Sequence, residues 1–203
     1  MTIERGAAWG RPGVLPADGV LVHRDAEARA VVEDHRRRGL PLPALGLLGG
    51  DLARTCGATG DSQRLHGGGV VLPVDLGIAV LDGAEHCFVA HLVARSFGWR
   101  GRVVVAMNAQ FIGEWDMAPR SHPNDGRLDV LETEGLAVGQ RWKARRRLAT
   151  GTHVPHPAIL ERRVATQTWE FVRPIEVRLD GTRVGRARTI ELTVEPDALT
   201  VVV

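Results

Sequence analysis

Apolar and polar positions are spaced differently in the first quarter of the chain and in the rest of it. The runs Gly19–Val22 and Ala44–Leu48 are short and apolar, which is typical of buried strands. Between them, Ala26–Arg38 places apolar residues among charges at a helical spacing. A second helix is predicted over Asp51–Cys56, capped by the carboxylate of its first residue. This order predicts a parallel α/β unit that is too short for a complete doubly wound lobe.

From Val70 onward, apolar residues recur in short runs between Gly and Asp turn signals. Ile190, Leu192 and Val194 alternate with polar residues, which buries one face of a strand and leaves the other in water. Many short strands of this kind predict a sandwich or a barrel. The predicted strands are Val70–Val74, Ile78–Leu81, Cys87–Val93, Val103–Phe111, Leu128–Glu132, Thr166–Val172, Ile175–Leu179, Thr189–Val194 and Leu199–Val203.

These patterns predict an α+β fold that is mostly β. A reduced α/β lobe covers residues 1–72, and a β-sandwich domain covers residues 73–203.

The segment Leu136–Leu148 is the exception in the second part, where the pattern favours a short basic helix carrying Arg141–Arg147. Because an incomplete sheet leaves strand edges to cover, we expect a homo-oligomer.

Charge and composition exclude several classes of protein. The 203 residues carry a formal net charge of +2, which provides no overall attraction to nucleic acid. No apolar run is long enough to cross a membrane, and the first residues do not resemble a signal peptide. Cys56 and Cys87 have none of the spacings of disulfide, zinc or redox motifs, which favours free thiols in a reducing compartment. We therefore expect a cytoplasmic protein.

The histidines and serines indicate little chemistry on their own. His153 and His156, with His122, would need to converge with further ligands to bind a metal, and their spacing does not show this. A Pro-stiffened loop with exposed imidazoles is the alternative. Ser62 lies outside any Gly-x-Ser-x-Gly elbow, so the sequence disfavours a serine hydrolase.

An acidic segment is more informative. Asp125 and Asp129 flank a glycine turn, and Glu114 and Asp116 precede it. Carboxylates clustered on a tight loop can hold Mg²⁺. The alternative is a turn in which the Asp side chain only bonds the local backbone.

The segment Asn108–Val130 also resembles the hallmark segment of the diacylglycerol kinase, sphingosine kinase and bacterial lipid kinase family, in the NAD kinase-like superfamily. In that family an Asn after a buried strand is followed by glycines, a Pro and Asp-Asp-Gly-x-Leu-Asp. Asn108, Gly113, Pro119 and Asn124–Asp129 stand in the matching order here. Other motifs similar to the family's follow in its order along the chain: Leu72–Gly77, Gly151–His153, His156–Pro157, Pro174–Gly181 and Glu195–Leu199.

The resemblance implies an α/β nucleotide lobe and a β-sandwich lobe of the lipid-kinase C-terminal type, with ATP and substrate meeting in the cleft between them. It also implies a structural Mg²⁺ at Asp125 and Asp129. The first Asp of the family's pattern is Asn124 in this chain.

The departures from the family fall where phosphate should bind. The family's Gly-Gly-Asp-Gly-Thr loop is His23–Glu27 here, with only Asp25 kept and with Glu27 repelling a phosphate. Glycines in that loop let backbone amides approach the anion. Leu45–Arg54 keeps Asp-Leu-Ala-Arg but loses the family's Pro, Thr and Asn, and Asp180 lacks the family's following Glu. Since phosphoryl transfer depends on positioning phosphates and metal, we predict that ATP-dependent phosphorylation has been lost.

We therefore expect the cleft to bind a small-molecule substrate and to carry out acid/base catalysis without a cofactor, for example a Pictet–Spengler-type ring closure. Carboxylates in a desolvated cleft can serve as general acid or base near neutral pH. The predicted catalytic residues are Asp180, Asp25, Glu114 and Asp116, and the predicted substrate-binding residues are Trp115, Asn108, His23 and Arg24.

Two alternatives remain open at this stage. The chain could be a non-catalytic module that binds lipid or a partner protein, with Arg141–Arg147 meeting phosphate head groups. It could also be a surviving diacylglycerol kinase that another chain completes. A membrane surface is a possible partner, but it is less favoured than a small-molecule substrate.

Overall fold

The computed structural model describes residues 9–96, 101–134 and 158–203, and it confirms a chain that is mostly β. The helices and strands in these ranges, in chain order, are β1 (Arg11–Gly13), β2 (Val20–Val22), α1 (Asp25–Arg37), β3 (Leu45–Leu47), α2 (Asp51–Thr55), α3 (Ser62–Gly67), β4 (Gly69–Leu81), β5 (Ala84–Phe88), β6 (His91–Arg95), β7 (Val103–Met107), β8 (Phe111–Ile112), β9 (Trp115–Asp116), β10 (Leu128–Thr133), β11 (Leu160–Val164), β12 (Thr166–Leu179) and β13 (Thr182–Val202).

Eleven of the described strands form one sheet. Its main path runs β1-β4-β13-β12-β6-β7-β10-β11, with β5 added to β4 and with β2 and β3 joined to β13. The neighbours along the main path are antiparallel. The long strands β4 and β13 carry the sheet from the α/β part into the sandwich part, and a register shift between Glu195 and Leu199 bends their pairing.

The α/β part is built as the strand–helix–strand pattern predicted. β2 runs parallel to β3, and β3 runs parallel to the end of β13. Helix α1 buries Ala28 and Val32 against this part of the core and is tied to β13 by an ion pair between Arg36 and Glu195. The two predicted lobes therefore share one sheet. The predicted boundary at residue 72 lies within β4 and remains a prediction.

Two adjacent apolar cores support the fold. The first lies under α1 and α2, and the second lies within the sandwich. Ile190 and Leu192 are buried in the second core, as their alternation predicted. The largest fully buried side chains of that core come from several strands, as expected when a sheet encloses its own interior: Phe88, Leu92, Leu128, Leu179, Ile190 and Leu192.

The structure differs from the predicted strands in two instructive places. The predicted strands Val70–Val74 and Ile78–Leu81 form one strand, β4. Pro73 is tolerated within it because β1 stops pairing at Val71 and leaves Pro73 paired only with β13. The predicted strand Cys87–Val93 is instead interrupted after Phe88, because the amides that follow bond a side chain rather than a strand. Helix α3 and strands β1, β9 and β11 were not predicted.

Several predicted features lie outside the described residues. These are the basic helix Leu136–Leu148 with its Arg141–Arg147 cluster, and the Gly151–Pro157 segment with His153 and His156. Among the helices described, none has the length and apolar character needed to cross a membrane.

Gly77 provides a test of the second core. It pairs with Phe88 across β4 and β5, and a Cβ at Gly77 would overlap with the ring of that fully buried Phe88. We expect Gly77→Ala to lower the free energy of unfolding by about 1–3 kcal/mol, the usual result of overpacking, as measured by urea denaturation. Gly185→Ala is the matched control, because a Cβ there meets open space in the same sheet. Equal effects of the two substitutions would contradict this account of the core.

Candidate functional site

A cleft of about 650 Å³ opens where the starts of α1, α2 and β6 approach the β12–β13 turn. The tip of the β8–β9 hairpin forms its remaining wall. Its chemistry is dominated by carboxylates, with one imidazole and one guanidinium. The polar side chains that line it are Arg24, Asp25, Glu27, Asp51, His91, Asp180 and Thr182.

Asp25 caps α2 from the start of α1. Its Oδ2 accepts from Asp51 N at 2.6 Å, and its Oδ1 accepts from Leu52 N at 3.0 Å. The prediction that the Asp51 side chain caps this helix is wrong, since Gly50 is the N-cap residue and the capping carboxylate comes from α1. Gly50 has φ +105°, and a Cβ there would lie 2.6 Å from Asp25 Oδ1, so the contact requires glycine. Burial raises the pKa of Asp25 despite the two hydrogen bonds.

Asp180 makes a similar contact at the other side of the cleft. It lies in the tight β12–β13 turn at φ +49°, and its side chain is fully buried. Its oxygens accept from three consecutive amides, those of Val89 at 3.0 Å, Ala90 at 2.8 Å and His91 at 3.1 Å. Burial raises the pKa of Asp180 to about 6, although these bonds and His91 oppose the rise.

Asp51 and His91 form a pair that sequence reasoning missed. His91 Nε2 lies 3.0 Å from Asp51 Oδ2, while Asp51 Oδ1 accepts from Gly113 N at 2.8 Å. Burial opposes charge on the imidazole, but the hydrogen bond to Asp51 and the charge of Asp180 outweigh it and raise the pKa of His91. Within the described part of the chain, His91 Nδ1 has no hydrogen-bond partner. The only sequence signal was a histidine placed directly after a buried apolar run.

The β8–β9 hairpin is fastened to α2 by several contacts. Arg54 NH1 donates to Gly113 O at 2.8 Å, and the Arg54 guanidinium lies 3.7 Å from the centre of the Phe111 ring. Thr55 Oγ1 accepts from Gln110 N at 3.0 Å. Together with the bond from Gly113 to Asp51, these contacts make the hairpin a fixed wall of the cleft.

The other predicted site residues fall in different places. Arg24 lines the cleft with Asp25 and Asp180, whereas His23 is exposed and contributes its backbone N to Glu27 Oε2 at 2.8 Å. Asn108 is fully buried, and its Nδ2 donates to the carbonyls of Asp75 and Val89, so it joins strands. Such an amide positions backbone rather than substrate.

Glu114, Trp115 and Asp116 lie beyond the wall of the cleft rather than in it. Glu114 is exposed, and Asp116 accepts from Gln110 Nε2 at 2.9 Å. Trp115 is half-buried against the separate apolar cluster that contains Met107. The structure therefore brings Asp25 and Asp180 together with Asp51 and His91, and it separates them from these three residues.

The residues at the start of α1 do not fit a phosphate. Glu27 folds back over this turn, where its carboxylate accepts from His23 N and from Arg24 Nε at 3.0 Å. These hydrogen bonds lower the pKa of Glu27, which keeps it charged. The amides at the start of α2 are already bonded to the Asp25 carboxylate. An ATP phosphate would therefore meet negative charge where the family's glycines would offer free amides.

The residues of the 122–129 loop do not fit a Mg²⁺ ion. Asp125 is ion-paired with Arg163, whose Nε also lies 3.5 Å from Asp129 Oδ1. Burial and the charge of Glu161 still raise the pKa of Asp129 to about 6. Among the described residues no three His, Cys, Asp or Glu side chains are placed to hold one ion, and the loop lines no part of the cleft.

Comparisons with known proteins agree with this architecture. The family model for the YegS C-terminal NAD kinase beta sandwich-like domain matches residues 78–203. No curated protein matches the chain in sequence.

Solved structures of proteins described as diacylglycerol kinases, from Bacillus anthracis str. Sterne, share the fold. One superposes with a TM-score of 0.67 at 14% identity, over 91% of this chain and 77% of that one. A second superposes with a TM-score of 0.65 at 15% identity, with the same coverage. A third has a TM-score of 0.60 at 17% identity, over 91% of this chain and 75% of that one.

The raised pKa of Asp180 predicts how stability depends on pH. The Asp180 carboxyl has a pKa of about 6 in the folded chain and 3.8 as a free side chain, so folding favours its protonated form. The resulting stabilisation is fully present below pH 3.8 and is lost as pH rises through 6. Asp180→Asn removes this titration. We therefore expect the free energy of unfolding of the wild type to fall, relative to Asp180→Asn, by roughly 2–3 kcal/mol between about pH 4 and about pH 7.

Urea denaturation across this pH range measures the difference. Asp116→Asn is the control, because this carboxylate lies outside the cleft and the variant should keep the wild-type dependence. Parallel curves for the wild type and Asp180→Asn would show that Asp180 titrates normally.

Proposed function

Because the chain belongs to the lipid-kinase-like family of the YegS C-terminal NAD kinase beta sandwich-like domain, we propose that it keeps the family's cleft but uses it for small-molecule chemistry without ATP. The observation that carries this proposal is the Asp51–His91 pair in the wall of the cleft. The proposed activity is proton transfer to and from an organic substrate in a condensation or ring closure.

The charge around the cleft supports a ligand other than a nucleotide triphosphate. Four lining carboxylates, those of Asp25, Glu27, Asp51 and Asp180, outnumber the positive groups around them. Those groups are the guanidinium of Arg24, the imidazole of His91, and Arg29 Nε behind the cleft at 3.8 Å from Asp180 Oδ2. Two like charges about 4 Å apart repel by roughly 1 kcal/mol in water and by several times more in a less polar site. A neutral or cationic ligand avoids this repulsion, so an amine is the class of substrate that the cleft favours.

Asp51 is the member of the pair that a substrate can reach. Its side chain is 17% exposed, whereas that of His91 is 4% exposed. In the proposed mechanism Asp51 exchanges a proton with the substrate, and His91, bonded behind it, balances the change in charge. A positioned acid/base group of this kind typically contributes about 10²–10⁴-fold to a rate.

A Pictet–Spengler-type ring closure shows how these groups would be used. The amine adds to an aldehyde, and the oxygen leaves as water after protonation, which produces an iminium cation. An aromatic carbon then attacks the iminium carbon, a C–C bond forms, and a base removes the proton from the attacking carbon to restore aromaticity. The carboxylates of Asp25 and Asp180 would stabilise the cation, and Asp51 would donate the first proton and remove the last.

This proposal is tested by incubating the protein with tryptamine and an aliphatic aldehyde and by measuring the cyclised product by mass spectrometry. We expect product formation above the buffer rate. Asp51→Asn keeps the shape of the side chain and removes its charge, so we expect turnover to fall by about 10²-fold or more. His91→Gln should reduce turnover in the same direction, because it leaves Asp51 without its proton-balancing partner.

Asp116→Asn is the matched control for this assay, since it changes a carboxylate that lies outside the cleft. It should retain wild-type turnover. If turnover survives both Asp51→Asn and His91→Gln in folded protein, this pair does not carry the chemistry. If no product forms with amine and aldehyde pairs of several sizes, the ring-closure assignment is wrong.

A residual diacylglycerol kinase activity is the second candidate, and one observation favours it. Asp180 occupies the position that resembles the family's proposed base, and its raised pKa would suit proton abstraction from a hydroxyl. The bonds from Asp180 to three amides weigh against this role, because they commit its oxygens to the backbone.

Isothermal calorimetry with Mg-ATP separates the two candidates. We expect no heat of binding and no rise in melting temperature, because Glu27 and Asp25 occupy the helix starts. We also expect no transfer of labelled γ-phosphate to diacylglycerol in mixed micelles. Saturable Mg-ATP binding together with transfer that Asp180→Asn abolishes would establish the kinase instead.

A further inference from the structure

The 122–129 loop is held by side chains that surround a fully buried carboxylate, Asp75 on β4. Asp75 Oδ2 accepts from Gly126 N at 2.7 Å, and its Oδ1 accepts from Asp197 N at 2.9 Å. The backbone N of Asp75 donates in turn to Pro123 O at 2.7 Å. One carboxylate therefore joins the loop to β4 and β13.

Asn124 lies between two carboxylates in this arrangement. Its Nδ2 donates to Asp197 Oδ1 at 2.7 Å and approaches Asp75 Oδ1 at 3.4 Å. Asn124 is 1% exposed, so these contacts are shielded from water. An amide satisfies both oxygens, whereas an Asp at this position would place three carboxylates together in a buried site. Such a group requires a cation or a shared proton.

Arg163 supplies positive charge to the other half of the loop. Strand pairing places it directly opposite Asp129, on β11 and β10. From there the guanidinium reaches both Asp129 and Asp125, the two residues that the family resemblance assigned to Mg²⁺. A guanidinium beside two carboxylates offsets part of the charge that a divalent cation would otherwise balance. The Arg163 side chain is 46% exposed, and its contact with Asp129 is an ion pair rather than a hydrogen bond.

We propose that Asn124 and Arg163 replace a divalent cation, so that this loop closes and the sandwich remains stable without metal. The two residues act at different points. Asn124 removes one negative charge from the group around Asp75, and Arg163 compensates Asp125 and Asp129. The inference concerns the stability of the loop and does not depend on the proposed chemistry of the cleft.

The test compares melting temperatures of the wild type, Asn124→Ala and Asn124→Asp, each stripped with EDTA and then titrated with MgCl₂ against NaCl at matched ionic strength. We expect the wild type to show no Mg²⁺-specific shift. Both variants lose the hydrogen bonds of the amide, which should lower the melting temperature by about 5 °C. Only Asn124→Asp should recover with Mg²⁺ in a saturable manner, because only this variant adds the third carboxylate.

Arg163→Gln provides a second variant on the other half of the loop. It removes the guanidinium while keeping a polar side chain, and we expect it to acquire a Mg²⁺-dependent rise in melting temperature. Asp125→Asn, made with no other change, tests whether any effect of Mg²⁺ on the wild type arises in this loop.

Two results would overturn the proposal. The first is a saturable wild-type stabilisation by Mg²⁺ that Asp125→Asn abolishes, since the loop would then bind the ion. The second is an equal response to Mg²⁺ in Asn124→Asp and Asn124→Ala, since the added carboxylate would then create no demand for a cation.

Discussion

The bond between the Asp180 carboxylate and three consecutive amides is the contact on which the rest of the site depends. The turn between β12 and β13 places Asp180 at positive φ, and its side chain reaches the amides of residues 89–91. Because those amides bond a carboxylate instead of a strand, β5 ends at Phe88 and β6 begins at His91. Removing the carboxylate would leave three buried donors unpaired, at a cost of about 1–3 kcal/mol each. The bond that secures the turn therefore also places His91 at the cleft.

A second carboxylate extends this arrangement to the helices. Asp25 caps α2 from α1, which leaves the side chain of Asp51 free to bond His91 and Gly113. The contacts therefore run in sequence: Asp25 on α1 bonds the start of α2, and Asp51 on α2 bonds His91 on β6 and Gly113 in the hairpin wall. The helix start that could have received an anion from solution receives one from the chain itself. Asp25 therefore places a carboxylate, rather than free amides, at this part of the cleft lining.

The sequence predicted the parts of this molecule that depend on local pattern. The apolar runs and the helical spacing of Ala26–Arg38 located β2, α1 and β3 to within a residue, because burial sets their periodicity. The family motifs located the sandwich. The Asp51–His91 pair could not be predicted, because its members lie 40 residues apart and meet only when the sheet is folded. Glu114 and Asp116 looked equivalent to Asp25 as acids, but Asp25 lines the cleft and the other two do not. Their places depend on the fold of the β8–β9 hairpin, which the local pattern does not set.

The departures from the family follow one physical rule. Asp25 bonds the first amides of α2, and Glu27 bonds the amide of His23. In the 122–129 loop, Asn124 donates to Asp197 and Arg163 pairs with Asp125. Under the two proposals, each of these side chains takes the place of an ion that would exchange with solution. Such a replacement removes dependence on ligand concentration, and it also removes the site that the ligand would have used. Under both proposals the fold needs neither phosphate nor metal to balance its charges, and its acidic cleft is open to an uncharged or cationic substrate.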